Sequence, residues 1–213
     1  SFLATGLNSG TNFTNTWKSC SALATMPALA LTAGTNFTGA WQGCTSLTSF
    51  LATGLNSGTT FFNAWDGCTA LATMPAIPLT AGTDFYAAWY QCTSLTSWLV
   101  TDVDKGENFN YAWGLCTALI TFPANVFDGW APAGGADVDC FDEAWGGCTA
   151  LSSTSVENIL NSLATAAVVA PASGNDITID YDAGTGTPSV ASAVSTLKGL
   201  SPAWTITLNG TAQ

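Results

Sequence analysis

The sequence predicts an α/β solenoid of 24-residue coils, each a short strand plus a short helix, closed by a C-terminal αβαβ cap. Three observations carry this. A Trp and a Cys three residues apart return at Trp17/Cys20, Trp41/Cys44, Trp65/Cys68, Trp89/Cys92 and Trp113/Cys116, and again at Trp145/Cys148 after a gap of 32. An apolar run of fixed spacing follows the Cys in each coil. Beyond Ser152 the pattern stops and ordinary helix and strand periodicities begin.

Within a coil, the spacing Phe37, Trp41, Cys44 is i, i+4, i+7, one stripe of a helix. A Thr two residues before the Phe, at Thr11, Thr35, Thr59 and Thr83, stands where an N-cap belongs. Each coil is therefore expected to carry about two helical turns with Phe, Trp and Cys inward. The next run, as in Leu47, Phe50, Ala52 or Leu95, Trp98, Val100, matches the strand segment of leucine-rich repeats, whose period is about 20–29 residues. A longer period overlies this one: residues 1–48 and 49–96 are near copies, which points to duplication. Ser1 has the phase of Ser49, and a solenoid cut there exposes an uncapped end, so a further chain preceding Ser1 or a homo-oligomeric partner is expected.

The solenoid is assigned to residues 1–151, with an insertion near 125–140, and the cap to 152–213. In the cap, Thr154-Ser-Val-Glu157 reads as a capping box opening a helix with Val156, Ile159, Leu160 and Leu163 on one face. Asp176–Asp182 alternates as a half-buried strand. Pro188 opens a second helix, and Trp204, Ile206 and Leu208 form the last strand. Covering the last coil is one task for this segment, and acting as a receptor-binding tip is another.

Composition excludes several partners. Only Lys18, Lys105 and Lys198 are basic and the net charge is −11, so no electrostatic footprint for nucleic acid or anionic lipid exists. No apolar run reaches the ~18 residues a membrane-spanning helix needs. The absence of His removes the usual general base, and one Cys per coil lacks the paired spacing of zinc sites. No cofactor fingerprint appears, and neither catalytic nor metal-binding residues are assigned. Acids gather at Asp102, Asp104, Glu107, Asp128, Asp137, Asp139, Asp142 and Glu143. A solvated acidic surface and a calcium site both fit them, and Asp102/Asp104 or Asp139/Asp142 are conceivable glycosidase pairs. The cysteine column reads as buried, reduced thiols, although coils about 4.8 Å apart also allow adventitious disulfides. Cys140 lies outside that column. Thr25, Ser49, Thr73, Ser97 and Thr121 form a small-residue stripe on the strand side.

The run Phe-x3-Trp-x2-Cys-Thr-x-Leu-Thr-Ser-Phe resembles BspA-like leucine-rich repeats over about residues 1–151. The tail around Ser155–Leu163 and Trp204–Thr207 resembles the ends of such proteins in bacteriophage tail fibres. That resemblance implies a virion surface location, or alternatively an extracellular or cell-surface one as an adhesin. It also implies a non-enzymatic recognition role, with a host cell-surface glycan or protein as partner. A purely structural fibre or decoration subunit is the other reading. The candidate ligand-binding residues come from the coil itself. Positions one after the Phe and one after the Trp face outward, and there Phe62, Tyr86 and Tyr90 replace Thr, Lys and Gln. Tyr111 adjoins them, and Trp130 rides on the insertion. Exposed aromatics flanked by Asp and Asn suit sugars.

Overall fold

A computed structural model describes residues 6–132, 140–166 and 175–213. They form a mixed α/β fold with small sheets and two α-helices. Strands β1 (Thr25–Met26) and β2 (Ser49–Phe50) pair in parallel, as do β3 (Thr73–Met74) and β4 (Ser97–Trp98). A Ser97–Thr121 bridge extends this line. Further parallel bridges join Asn12, Asn36, Thr60, Asp84 and Asn108 in series. Segments 24 residues apart thus lie in register at several points around each unit.

The expected helix in each unit is absent. Phe, Trp and Cys instead sit on a ribbon of consecutive turns. The Phe37 carbonyl accepts from Ala40 N, and the Trp41 carbonyl from Cys44 N. The third residue of each turn, Gly39 and Gly43, has positive φ, as a type II turn requires. The same two positions are left-handed in the other units, at Asn15 and Ser19, Asn63 and Gly67, Ala87 and Gln91, Tyr111 and Leu115, and Glu143 and Gly147. This ribbon repeats every four residues, so it shares the i, i+4 spacing of a helix. The difference lies in the amides. A helix uses its N–H groups internally, whereas here alternate ones reach the next unit: Phe37 to Thr60, Gly39 to Phe62, Trp41 to Ala64 and Gly43 to Asp66, at 2.7–2.9 Å.

The threonines are not helix caps either. Thr35, Thr59 and Thr83 each donate a hydroxyl to the carbonyl of the Thr one unit earlier, at 3.1–3.2 Å. The capping geometry belongs to the following residue: Asn12, Asn36, Asp84 and Asn108 each accept, through a side-chain oxygen, the amide two positions on. The Thr-rich composition therefore supplies hydrogen bonds between units.

Inside the ribbon, Phe and Trp form two columns of near-parallel rings, Phe13 to Phe141 and Trp17 to Trp145, with centroids 4.9–5.6 Å apart. The strand residues Phe50 and Trp98, and Phe122 at the corresponding position, meet the Trp column edge-to-face. The indole N–H groups of Trp65, Trp89, Trp113 and Trp145 have no hydrogen-bond partner. Each of these rings makes edge-to-face contacts with a neighbouring aromatic side chain.

The C-terminal segment follows the expected αβαβ order: α1 (Ser153–Ala166), β5 (Asn175–Ile179), α2 (Ala191–Lys198) and β6 (Trp204–Leu208), with a short antiparallel β7 (Thr211–Ala212) added. The cap of α1 differs from the expected Thr154 box. Ser152 Oγ accepts from Ser155 N, and Glu157 instead accepts from Ser189 N ahead of α2. That helix begins at Ala191, three residues past Pro188. Ser155, Asn158 and Ser162 share one face of α1 and satisfy backbone groups of the preceding unit: Phe122 N, Phe122 O and Phe127 N. Asp180 accepts from Gly147 N, at the ribbon position where Gly43 donates to the next unit. These side chains stand in for the unit that does not follow.

Two substitutions test the turn ribbon. Gln91 is exposed and left-handed at φ 56°, so Gln91→Gly should raise stability by about 1 kcal/mol. Gly43→Ala at φ 70° should lower it by a similar amount. Urea unfolding midpoints measure both, and a helix would give the opposite signs.

Candidate functional site: an aromatic pocket on the turn ribbon

The ribbon fixes which side chains face outward. In each type II turn the first residue points into the core, and the second, one after the Phe or the Trp, lies at the outer corner. Phe62 and Tyr86 occupy that corner in adjacent units, and their rings stack at 4.8 Å and 10°. Tyr90 occupies the second corner of the Tyr86 unit. Tyr111 takes a left-handed position one unit on, at φ 56°. Its ring meets Tyr86 at 65° and Tyr90 at 87°, both with centroids 6.0 Å apart.

Tyr86, Tyr90 and Tyr111, with Asn63, Asp66 and Ala87, line a pocket of about 420 Å³. Phe62 stands beside it, 36% exposed. Four of the five expected ligand-binding residues therefore come together.

Asp66 is half-buried, and burial raises its pKa against the opposing effects of the Gln42 hydrogen bond (2.8 Å) and Lys18. Burial, then the charges of Asp142 and Glu143, likewise raises the Tyr111 hydroxyl. Carboxylates thus act on both sides of the tyrosines, Asp66 on one and Asp142 and Glu143 on the other. Asp66 occupies the same outward column as Tyr90 and is an acid expected to flank the rings, whereas Asn63 was not legible in the sequence.

Trp130 is a correction. It is 2% exposed and its indole N–H donates to Gly106 O at 2.7 Å. It stands in the register of Gly34, Gly58, Gly82 and Gly106, where a Cβ would run into the ring of the Phe three residues on. The insertion removes that conflict, because the next ribbon Phe is Phe141. The indole instead fills the space against Phe141 and Trp204, sealing the C-terminal segment onto the stack. The insertion signal was legible, but its aromatic residue belongs to the core.

The acids divide. Asp102 and Asp104 line a second pocket of about 430 Å³ with Leu99, Val126 and Gly129. Burial, then Asp102 and Asp128, raises the Asp104 pKa. Asp128 accepts from Ser162 Oγ at 2.6 Å. Asp137 and Asp139 lie outside the described residues. Among the described residues, no three His, Cys, Asp or Glu side chains gather to hold a metal ion, and no helix is long and apolar enough to cross a membrane.

None of the seven cysteines is in a disulfide, and all but Cys20 are buried. From Cys44 onward, each column thiol donates to the Trp carbonyl of the preceding unit, at 3.0–3.2 Å. Burial pushes Cys44 up to about 11 and Cys148 to about 12, and Cys68, Cys92 and Cys116 also rise. Such thiols are poor nucleophiles. Cys140 is placed in register with Asn108, and its carbonyl accepts from Phe109 N at 2.7 Å.

A thiol-specific reagent should therefore titrate one cysteine in the native chain and all seven after denaturation. Fast labelling of several native thiols would contradict the buried column. Trp130→Ala should cost about 3–5 kcal/mol in equilibrium unfolding, as expected for a core indole rather than a surface ligand contact. No family model matches the chain, nor does any curated protein or solved structure.

Proposed function

We propose that the in-register segments are coils of a leucine-rich-repeat-type solenoid, with residues 152–213 as its cap, and that the chain is a non-enzymatic recognition module. Its ligand is a host-surface glycan bound at the aromatic pocket. The observation that carries this reading is the grouping of Phe62, Tyr86, Tyr90 and Tyr111 at one outward surface. Other units place Thr14, Thr38, Lys18, Gln42 and Gly114 at the corresponding corners. The turn ribbon needs no aromatic there, because its own Phe and Trp already fill the core.

Half-exposed rings beside a carboxylate and an amide offer both contacts a sugar uses: its C–H face on an aromatic ring and its hydroxyls on polar acceptors and donors. The resemblance of the tail around Ser155–Leu163 and Trp204–Thr207 to the ends of BspA-like repeat proteins in bacteriophage supports a place on a virion surface, within a tail fibre or receptor-binding appendage that adsorbs to the host. Scarce Lys and Arg, which leave trypsin-like proteases few sites, are compatible with such exposure.

The double variant Tyr86→Ala, Tyr90→Ala is expected to abolish binding to host cells and to a glycan array. Its far-UV circular dichroism and unfolding midpoint should stay close to those of the parent, because neither ring belongs to the buried columns. Undiminished binding by a folded double variant would overturn the assignment of the site.

A further inference from the structure

We propose that the pocket formed by Tyr86, Tyr90 and Tyr111 takes an ammonium group, carried on the surface glycan as an amino sugar or an alkylammonium substituent. This deepens the glycan reading of the same site and rests on it.

Ring geometry is the first argument. A sugar stacking flat needs one broad open ring face. Here Phe62 stacks on Tyr86 at 4.8 Å, and Tyr111 stands steeply to both Tyr86 and Tyr90, at 65° and 87°. The three phenols make a corner rather than a platform. A corner of rings suits a compact, convex group, and because an open ring face is the negative pole of a quadrupole, a cation seated on one is favoured over a neutral group of equal shape.

Charge is the second argument. Asp66 lines the same pocket, and no Lys or Arg does. Lys18, the base whose charge acts on Asp66, stands two units earlier in that column. Asp142 and Glu143 add negative charge beside Tyr111. Burial, the larger cause of the raised Tyr111 hydroxyl, opposes any charge, whereas the carboxylates favour an ammonium ion over an anion. The same carboxylates disfavour uronic acids, sialic acids and phosphorylated sugars, which would bring a like charge to Asp66 in a pocket that no base lines.

The full 213-residue chain serves for the test, by isothermal calorimetry. One pair of probes is choline and its neutral isostere 3,3-dimethylbutan-1-ol. The other is oligomers of glucosamine and their N-acetylated counterparts. At least one cation should bind about tenfold or more tightly than its neutral counterpart. The pair that shows the difference identifies the source of the ammonium group. Asp66→Asn and Tyr90→Leu should each weaken that cation while changing the neutral counterpart much less.

Equal binding within both pairs overturns the ammonium proposal. Binding of neutral oligosaccharides alone, lost in the Tyr86→Ala, Tyr90→Ala variant, overturns it while leaving the glycan site standing. Absence of binding to every probe and to a glycan array overturns both.

Discussion

The backbone bonding between neighbouring turn ribbons is the constraint on which the rest depends. From Trp17 to Trp113, each ribbon Trp carbonyl receives two donors, the amide of its own unit's Cys and the thiol of the next unit's Cys, as Trp41 O does from Cys44 N and Cys68 Sγ. Alternate amides of the same ribbon cross to the next unit. These bonds hold successive units at one spacing, so identical side chains fall into columns. Parallel Phe and Trp rings then follow from register, and Cys is suited to its position by being small, apolar and a weak donor. The cost is two left-handed residues per unit, which Gly and Asn meet with least strain.

Much of this was legible in the sequence. The period, the inward Phe, Trp and Cys, the strand positions and the order of the C-terminal elements all follow from spacing. The helix did not survive, because a four-residue turn ribbon and a helix share the i, i+4 apolar stripe. The discriminating signal was present in Gly39, Gly43, Asn63 and Gly67: two residues poor at helix formation in a segment of about two turns argue against a helix. Ser155, Asn158 and Ser162 were harder to interpret. Their polar face on α1 has meaning only once the unpaired backbone of the preceding unit is known. Trp130 misled for a related reason: an aromatic in an insertion suggests a surface, but register with Gly106 placed it inside.

The aromatic site was legible because a ribbon and a helix with the same stripe turn the same residues outward. What the sequence could not supply was the third dimension of the pocket. Tyr111 reaches Tyr86 and Tyr90 from a left-handed backbone position, and Asp66 reaches the pocket from the unit before Tyr86 and Tyr90. Ala87, Gln91, Tyr111 and Leu115 are left-handed without being Gly or Asn in the two units that carry the tyrosines, as are Ser19 and Glu143 at the same ribbon positions in other units.

Scalar couplings across hydrogen bonds, measured by NMR, test the central structural claim most directly. The account predicts that the Trp41 amide couples to the carbonyl of Ala64, its acceptor at 2.8 Å one unit on. Equivalent couplings should link Trp65 to Ala88 and Trp89 to Ala112. Coupling of Trp41 to Phe37 instead would mean a helix. It would contradict the turn ribbon and, with it, the geometry that brings the tyrosines together.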